Sequence, residues 1–171
     1  MKTMHGHSLV ELMFCLLIGG ILLSLALPSF TSMLNSNTQT QLVNQLLGQL
    51  HYARSTAVQG KASVALCSGH MQCSGSPKWE RHLLAFIDRN RNGQIDAGEE
   101  LLRQQDIPPA YSWHWSNFRR RPHLLYQRDG TTRALNGTFT LCREGQPLQQ
   151  VVISVSGRAR TQSPAAGASC G

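Results

Sequence analysis

Residues 9–27 form a 19-residue apolar run interrupted by one charge, Glu11, and that run dictates how the rest of the chain is organised. As an α-helix it rises about 28 Å, close to the hydrocarbon thickness of a bilayer. No second stretch of this kind exists in the 171 residues, so a polytopic membrane protein is excluded. Three readings of the run compete. A plain transmembrane anchor places a carboxylate three residues into lipid, which is costly without a partner. A cleaved secretory signal finds small residues at the cleavage spacing in Ser24-Leu25-Ala26, but puts Glu11 inside a segment that carries no charge in ordinary signals. The third reading places the helix in a packed bundle, where a neighbouring subunit's N-terminal ammonium neutralises Glu11.

The residues ahead of the run supply the context for that third reading. A six-residue leader carrying Lys2 ends in Gly6-His7-Ser8-Leu9-Val10-Glu11. This resembles the prepilin-peptidase site of type IV pilins and type II secretion pseudopilins. The resemblance implies cleavage after Gly6, methylation of His7 as the new N-terminus, and Glu11 as the fifth mature residue. Pro28 then falls at mature position 22, where pilin helices commonly bend. The sequence departs from the family at His7, where Phe is usual. The implied partners are prepilin peptidase, other pilin subunits and the inner membrane, with the C-terminal domain periplasmic and the protein incorporated into a pilus or pseudopilus.

Beyond residue 30 the composition turns polar, yet apolar residues keep helical spacing. Leu42, Leu46, Leu47 and Leu50 lie on one face and Ala53 and Ala57 continue it, while Asn35, Gln39, Asn44, Gln45 and Gln49 are assigned to the other. Gln59-Gly60 supplies the stop signal. Residues 7–58 therefore read as one helix of about 78 Å, with Gly19-Gly20 and Pro28 as places where it can bend. Past Gly60 the pattern becomes β-like. Short alternating or β-branched runs occur at 63–67, 83–88, 100–104, 111–116, 124–127, 138–143 and 150–156, separated by Gly, Pro, Asn and Asp turns. The predicted fold is α+β and type IV pilin-like, a long N-terminal helix with a transmembrane first half packed on a C-terminal antiparallel β-sheet domain. Its layout is a leader at 1–6, a transmembrane and assembly half at 7–29, and a soluble domain at 30–171 with helix to 58 and β-rich structure over 61–171.

Of the five cysteines, Cys15 lies in the apolar run. Cys67, Cys73, Cys142 and Cys170 lie in the region expected to leave the cytoplasm, and an even set there predicts two disulfides. Cys67–Cys73 would close a short loop and Cys142–Cys170 would clip the C-terminal tail to a strand, though three connectivities are open. Zinc is disfavoured, since no Cys-x-x-Cys pair is present.

The C-terminal half narrows the resemblance. Gly130 after a strand, Phe139-Thr140-Leu141, and then Val151-Val152-Ile153-Ser154-Val155-Ser156-Gly157-Arg158-Ala159-Arg160 are similar to the end of the FimT/GspH-type domain. FimT-type minor pilins of naturally transformable bacteria carry a Gly-Arg-x-Arg motif there and bind DNA, and Gly157, Arg158 and Arg160 match it. The charge distribution points the same way. The net charge is +7, and from Arg119 to Arg160 eight arginines face only Asp129 and Glu144. Arginine forks onto phosphates, and such contacts give sequence-independent, salt-sensitive affinity. Arg119, Arg120, Arg121, Arg128 and Arg133 are further candidates. Trp113 and Trp115 could offer stacking to single strands, although strand spacing and the burial tendency of Trp favour core positions. The functional expectation is a minor type IV pilin that binds extracellular DNA non-specifically for uptake in natural transformation. The alternative is a GspH-like minor pseudopilin with a structural role in type II secretion.

Two other chemistries compete with this reading. Residues 88–99 fit the spacing of a calcium loop, with side chains from Asp88, Asn90, Asn92, Asp96 and Glu99 and a carbonyl from Gln94. Strand-like flanks and the charges of Arg89 and Arg91 favour a hairpin whose Asp, Asn and Gly residues satisfy turn geometry, so no cofactor is expected. Phosphate-loop and His-Glu-x-x-His patterns are missing from the sequence, which argues against an enzyme.

Overall fold

The computed structural model describes residues 9–171. The processing residues Gly6 and His7 lie outside the described residues. The chain divides into two compact units, one ending at Thr40 and the other spanning Gln41–Gly171. A single helix, α1 (Leu9–Gln59), supplies the described part of the first unit and the opening of the second. In the first unit Leu9, Val10, Leu12, Met13, Phe14, Leu16 and Leu17 are exposed at successive positions, so the helix is apolar all round. That pattern suits lipid or neighbouring helices, and α1 is long and apolar enough to cross a membrane. Glu11 sits in its first turn.

The second unit builds two antiparallel sheets on the rest of α1. The helix ends where the Gly60 amide donates to the Thr56 carbonyl at 2.8 Å and Lys61 adopts a left-handed conformation. The first sheet contains β1 (Val64–His70), β2 (Gln72–Cys73), β4 (His82–Ile87), β5 (Leu101–Asp106) and β7 (Leu124–Tyr126). β1 pairs with β4 and β7, and its end pairs with β2. The second sheet runs β10 (Ala159–Gln162), β9 (Gln146–Ile153), β8 (Gly137–Arg143), β6 (Tyr111–Asn117) and β3 (Lys78–Trp79).

Period-two alternation decides what each sheet buries. Val64, Leu66, Leu83, Ala85, Leu124 and Tyr126 of the first sheet meet Trp113, Trp115, Phe139, Leu141, Val151 and Ile153 of the second in one core. Leu42, Val43, Leu46, Leu50, Ala53 and Ala57 of α1 join it. On the far face of the first sheet, Ala65, Cys67, Leu84, Phe86 and Leu125 form a smaller cluster beneath Ile95 and Leu135. Gln49 belongs to the inward stripe of α1 rather than to its polar face, being only 3% exposed. It falls seven residues after Leu42, so the helical repeat returns it to the core side whatever its polarity.

The sequence runs locate seven of the ten strands among the described residues, with two differences of consequence. The run at 150–156 stops being strand at Ile153, because residues 154–157 turn. β10 then follows, carrying Arg160 on a strand that the sequence pattern did not announce. The cysteines pair as Cys67–Cys73 and Cys142–Cys170, and Cys15 is free. The first bridge closes the β1–β2 hairpin, and the second fastens the C-terminal tail to β8.

Candidate nucleic-acid interface

Strand register decides which arginines meet. Ala159 pairs with Ile153, Ile153 with Gly137, and Gly137 with Asn117. These four residues mark one end of the second sheet, about 14 Å across at three strand spacings. The β9–β10 turn, the segment entering β8 and the loop leaving β6 all emerge at that end. They carry Arg158, then Arg128 and Arg133, then Arg119, Arg120 and Arg121, each of them exposed. Arg160 lies one step further along, in register with Val152, Thr138 and Ser116. Ala159 packs partly against the core, so alternation sends Arg160 to the opposite, outer face. Among the described residues, neither Arg158 nor Arg160 makes an ion pair with its side chain. The eighth arginine of the region, Arg143, is elsewhere. It lies at the other end of β8, with its guanidinium 5.7 Å from the Tyr111 ring centre.

The turn that presents Arg158 is tightly built. The Gly157 amide donates to the Ser154 carbonyl at 2.9 Å, and the Ser154 amide donates to the Arg158 carbonyl at 3.0 Å. The Arg158 amide also donates to Ser154 Oγ at 3.2 Å. Gly157 is buried, with φ of +78°, and a Cβ there would collide with the carbonyl oxygen of Gly130. Gly157 thus lies beneath the turn rather than on its surface. Its part is to let the backbone turn and pack so that the neighbouring arginines project. Two side chains lock the turn to the loop after β7. The Thr132 amide donates to the Val155 carbonyl at 3.0 Å, and Thr132 Oγ1 donates to the Ser154 carbonyl at 3.1 Å. Arg54 of α1 donates from Nε to the Gly130 carbonyl and from Nη2 to the Ser156 carbonyl. Neither Arg54 nor Thr132 stands out in the sequence, since each acts on backbone carbonyls far away along the chain.

One carboxylate shares this end. Asp129 is exposed and accepts hydrogen bonds from the Thr131 amide at 3.0 Å and from Thr131 Oγ1 at 2.7 Å. Those bonds hold its carboxyl below the usual range, so it stays charged and subtracts from the arginine field.

The tryptophans take the core alternative. Trp113 and Trp115 are 2% and 1% exposed, which removes them from any stacking role. Trp115 packs on Phe139 with ring centres 4.2 Å apart, and its indole N–H donates to the His123 carbonyl. Trp79 Nε1 likewise donates to the Pro122 carbonyl at 3.0 Å. These two bonds anchor the far side of the arginine loop.

Residues 88–99 form the connection between β4 and β5 and close on themselves. Asp88 is fully buried and accepts from the Gly93 amide at 2.9 Å and the Asn92 amide at 3.2 Å. Burial raises its carboxyl above the ordinary range against the pull of those amides. Asp96 accepts from the side-chain amides of Asn90 and Asn92 at 2.7 Å each, and Glu99 accepts from the Arg89 and Asp96 amides. The five candidate ligands thus come together, each engaged by the loop's own donors or by its neighbours. Among the described residues no group of three or more His, Cys, Asp or Glu is arranged to hold a metal ion.

Residues 42–157 match the family described as type II transport protein GspH, and residues 1–27 match the prokaryotic N-terminal methylation motif. A pilin-like protein, PilA1 of Thermus thermophilus, is 30% identical over 169 residues, covering 94% of this chain and 99% of that one. The crystal structure of the type IV minor pilin FimU of Pseudomonas aeruginosa shares the fold with a TM-score of 0.60 at 22% identity, over 80% of this chain and 97% of that one. A second crystal form of FimU gives a TM-score of 0.58 over 77% of this chain and 98% of that one.

Proposed function

The chain belongs to the GspH family of minor type IV pilins and pseudopilins, and from that premise we propose that it binds extracellular DNA without sequence preference, for uptake in natural transformation. The observation that carries this reading is the gathering of Arg158 and Arg160 with Arg119, Arg120, Arg121, Arg128 and Arg133 around one sheet end. No base-reading element accompanies them. Among the described residues these arginines sit on turns and a sheet end, so in this reading the affinity comes from phosphate neutralisation and counterion release. In this reading the protein is anchored in the inner membrane by the first half of α1, with the domain in the periplasm, and is drawn into a pilus after cleavage and methylation. It performs no catalysis, and residues 88–99 act as a metal-free turn.

The family's description as a type II transport protein favours a second reading, a pseudopilin with a structural role in secretion. Titration of unrelated duplexes by fluorescence anisotropy separates the two. Replacing Arg158 and Arg160 with Gln should weaken binding to every sequence about equally and flatten the log–log salt slope by roughly 1.8. Stability should move by no more than about 0.5 kcal/mol, since both side chains are exposed. A wild-type protein that binds no duplex at low salt would favour the pseudopilin.

A further inference from the structure

We propose that Phe118 is a base-stacking residue, so that the arginine surface holds single-stranded nucleic acid through its bases as well as its phosphates. The inference rests on the DNA-binding reading above and adds the strand class to it.

Phe118 is 94% exposed, the most solvent-accessible large apolar side chain among the described residues. It covers nothing in either core cluster. Yet it does not stand on a slack loop. Asn117 clasps the turn in both directions: its side-chain amide donates to the Arg121 carbonyl at 2.7 Å, and its side-chain oxygen accepts from the Arg121 amide at 3.1 Å. The Arg120 amide adds a bond to the Asn117 carbonyl at 3.1 Å. Just beyond, the indoles of Trp79 and Trp115 hold the carbonyls of Pro122 and His123. An aromatic ring is thus held out into water by a turn fixed on both sides, at a standing hydration cost that folding does not recover.

The surroundings specify the partner. Arg119, Arg120 and Arg121 follow the ring directly, and Arg120 and Arg121 border an open recess of about 240 Å³ beside Asn117 and Ser116. From Asn117 the sheet end runs three strand spacings, about 14 Å, to Ala159, the neighbour of Arg158. A ring flanked by cations fits a polyanion that carries flat apolar groups, which describes a nucleic acid with unpaired bases. Duplex bases expose no π-face to a side chain except at ends, whereas every base of a single strand does. An anionic membrane surface shares the charge but accepts Phe and Leu alike, so the ring itself is what separates the two partners.

The test uses the full chain in a non-ionic detergent, with a short mixed-sequence oligonucleotide containing 2-aminopurine and the matching duplex. Phe118→Ala should lose roughly 5- to 100-fold in single-strand affinity, the range for one stacked base, and leave duplex affinity within about twofold. The 2-aminopurine quenching seen with wild type should disappear with it. Phe118→Trp should restore both, and Phe118→Leu, which keeps the apolar surface without the ring, should restore neither. Unchanged single-strand affinity in Phe118→Ala, or full activity in Phe118→Leu, overturns the stacking role while leaving the arginine surface intact. A wild type that binds neither oligonucleotide overturns the DNA reading itself, and the stacking role falls with it.

Discussion

Arg54 Nε donates to the carbonyl oxygen of Gly130 at 3.0 Å, which ties the soluble part of α1 to a loop 76 residues away. The same guanidinium reaches the Ser156 carbonyl at 3.3 Å, so one side chain holds both glycine-bearing segments that press together at Gly130 and Gly157. The exposed arginines thus depend on a half-buried one.

The relation yields a prediction that separates framework from contact. Arg54→Met should cost about 1.5–3 kcal/mol, the value of charge-assisted bonds to carbonyls, and Arg54→Lys should not recover it because the fork is lost. Gly157→Ala meets both a left-handed backbone and the Gly130 oxygen, and should cost more than about 1 kcal/mol. Urea unfolding checks both. DNA affinity should fall in step with stability for these variants, whereas the Arg158 and Arg160 variants should lose affinity alone.

The two disulfides should differ in weight. Cys142–Cys170 encloses a sequence separation of 28 and Cys67–Cys73 one of 6. On the chain-entropy model the longer loop stabilises by about 3.6 kcal/mol and the shorter by about 2.2 kcal/mol. Replacing each pair with Ser and comparing urea midpoints tests the order. Thiol labelling without reductant should mark Cys15 and none of the other four cysteines.

Much of this was legible in the sequence because its strongest signals are local. The apolar run, the helical stripe from Leu42 to Ala57 and the Gly-bounded strands each follow from periodicity. Gln49 is the exception, because its place in the repeat outweighs its polar side chain. The arginine surface was legible as composition but not as geometry. Nothing in the linear sequence says that residues 117, 137, 153 and 159 share one sheet end, since register is a long-range property. Gly157 reads as part of a binding motif, and its structural reason appears only with Gly130 beside it. Phe118 did leave a signal, an aromatic residue followed directly by three arginines, but exposure cannot be read from neighbours in sequence.

Processing gives a prediction that owes nothing to the folded domain. If the methylation motif is cleaved as its resemblance implies, intact mass of the membrane-extracted protein should correspond to a chain starting at methylated His7. Gly6→Ala should leave the full-length chain. A mature chain starting at Leu27 would establish an ordinary secretory signal instead.

The last prediction concerns acid. His123 is 6% exposed, beneath the turn at Gly93, where any Cβ would strike its ring. Burial lowers the affinity of this imidazole for a proton, and the positive charge of Arg121 adds to the effect. Burial also lowers that of His114. The unfolded chain protonates both near their ordinary value of 6.5. Between that value and the lowered folded ones, the unfolded state binds more protons, so stability is complete above pH 6.5 and falls as the solution is acidified. Asp88 works in the opposite sense: its raised folded value means that the native state takes up a proton first, which favours folding as pH falls toward 3.8. The histidines therefore govern the upper part of the titration and Asp88 offsets them lower down. Urea midpoints should drop between pH 7.5 and 5.5 in the wild type, with a shallower drop in His123→Gln, which has no proton to accept. An equal drop in both would assign the acid sensitivity to groups other than His123.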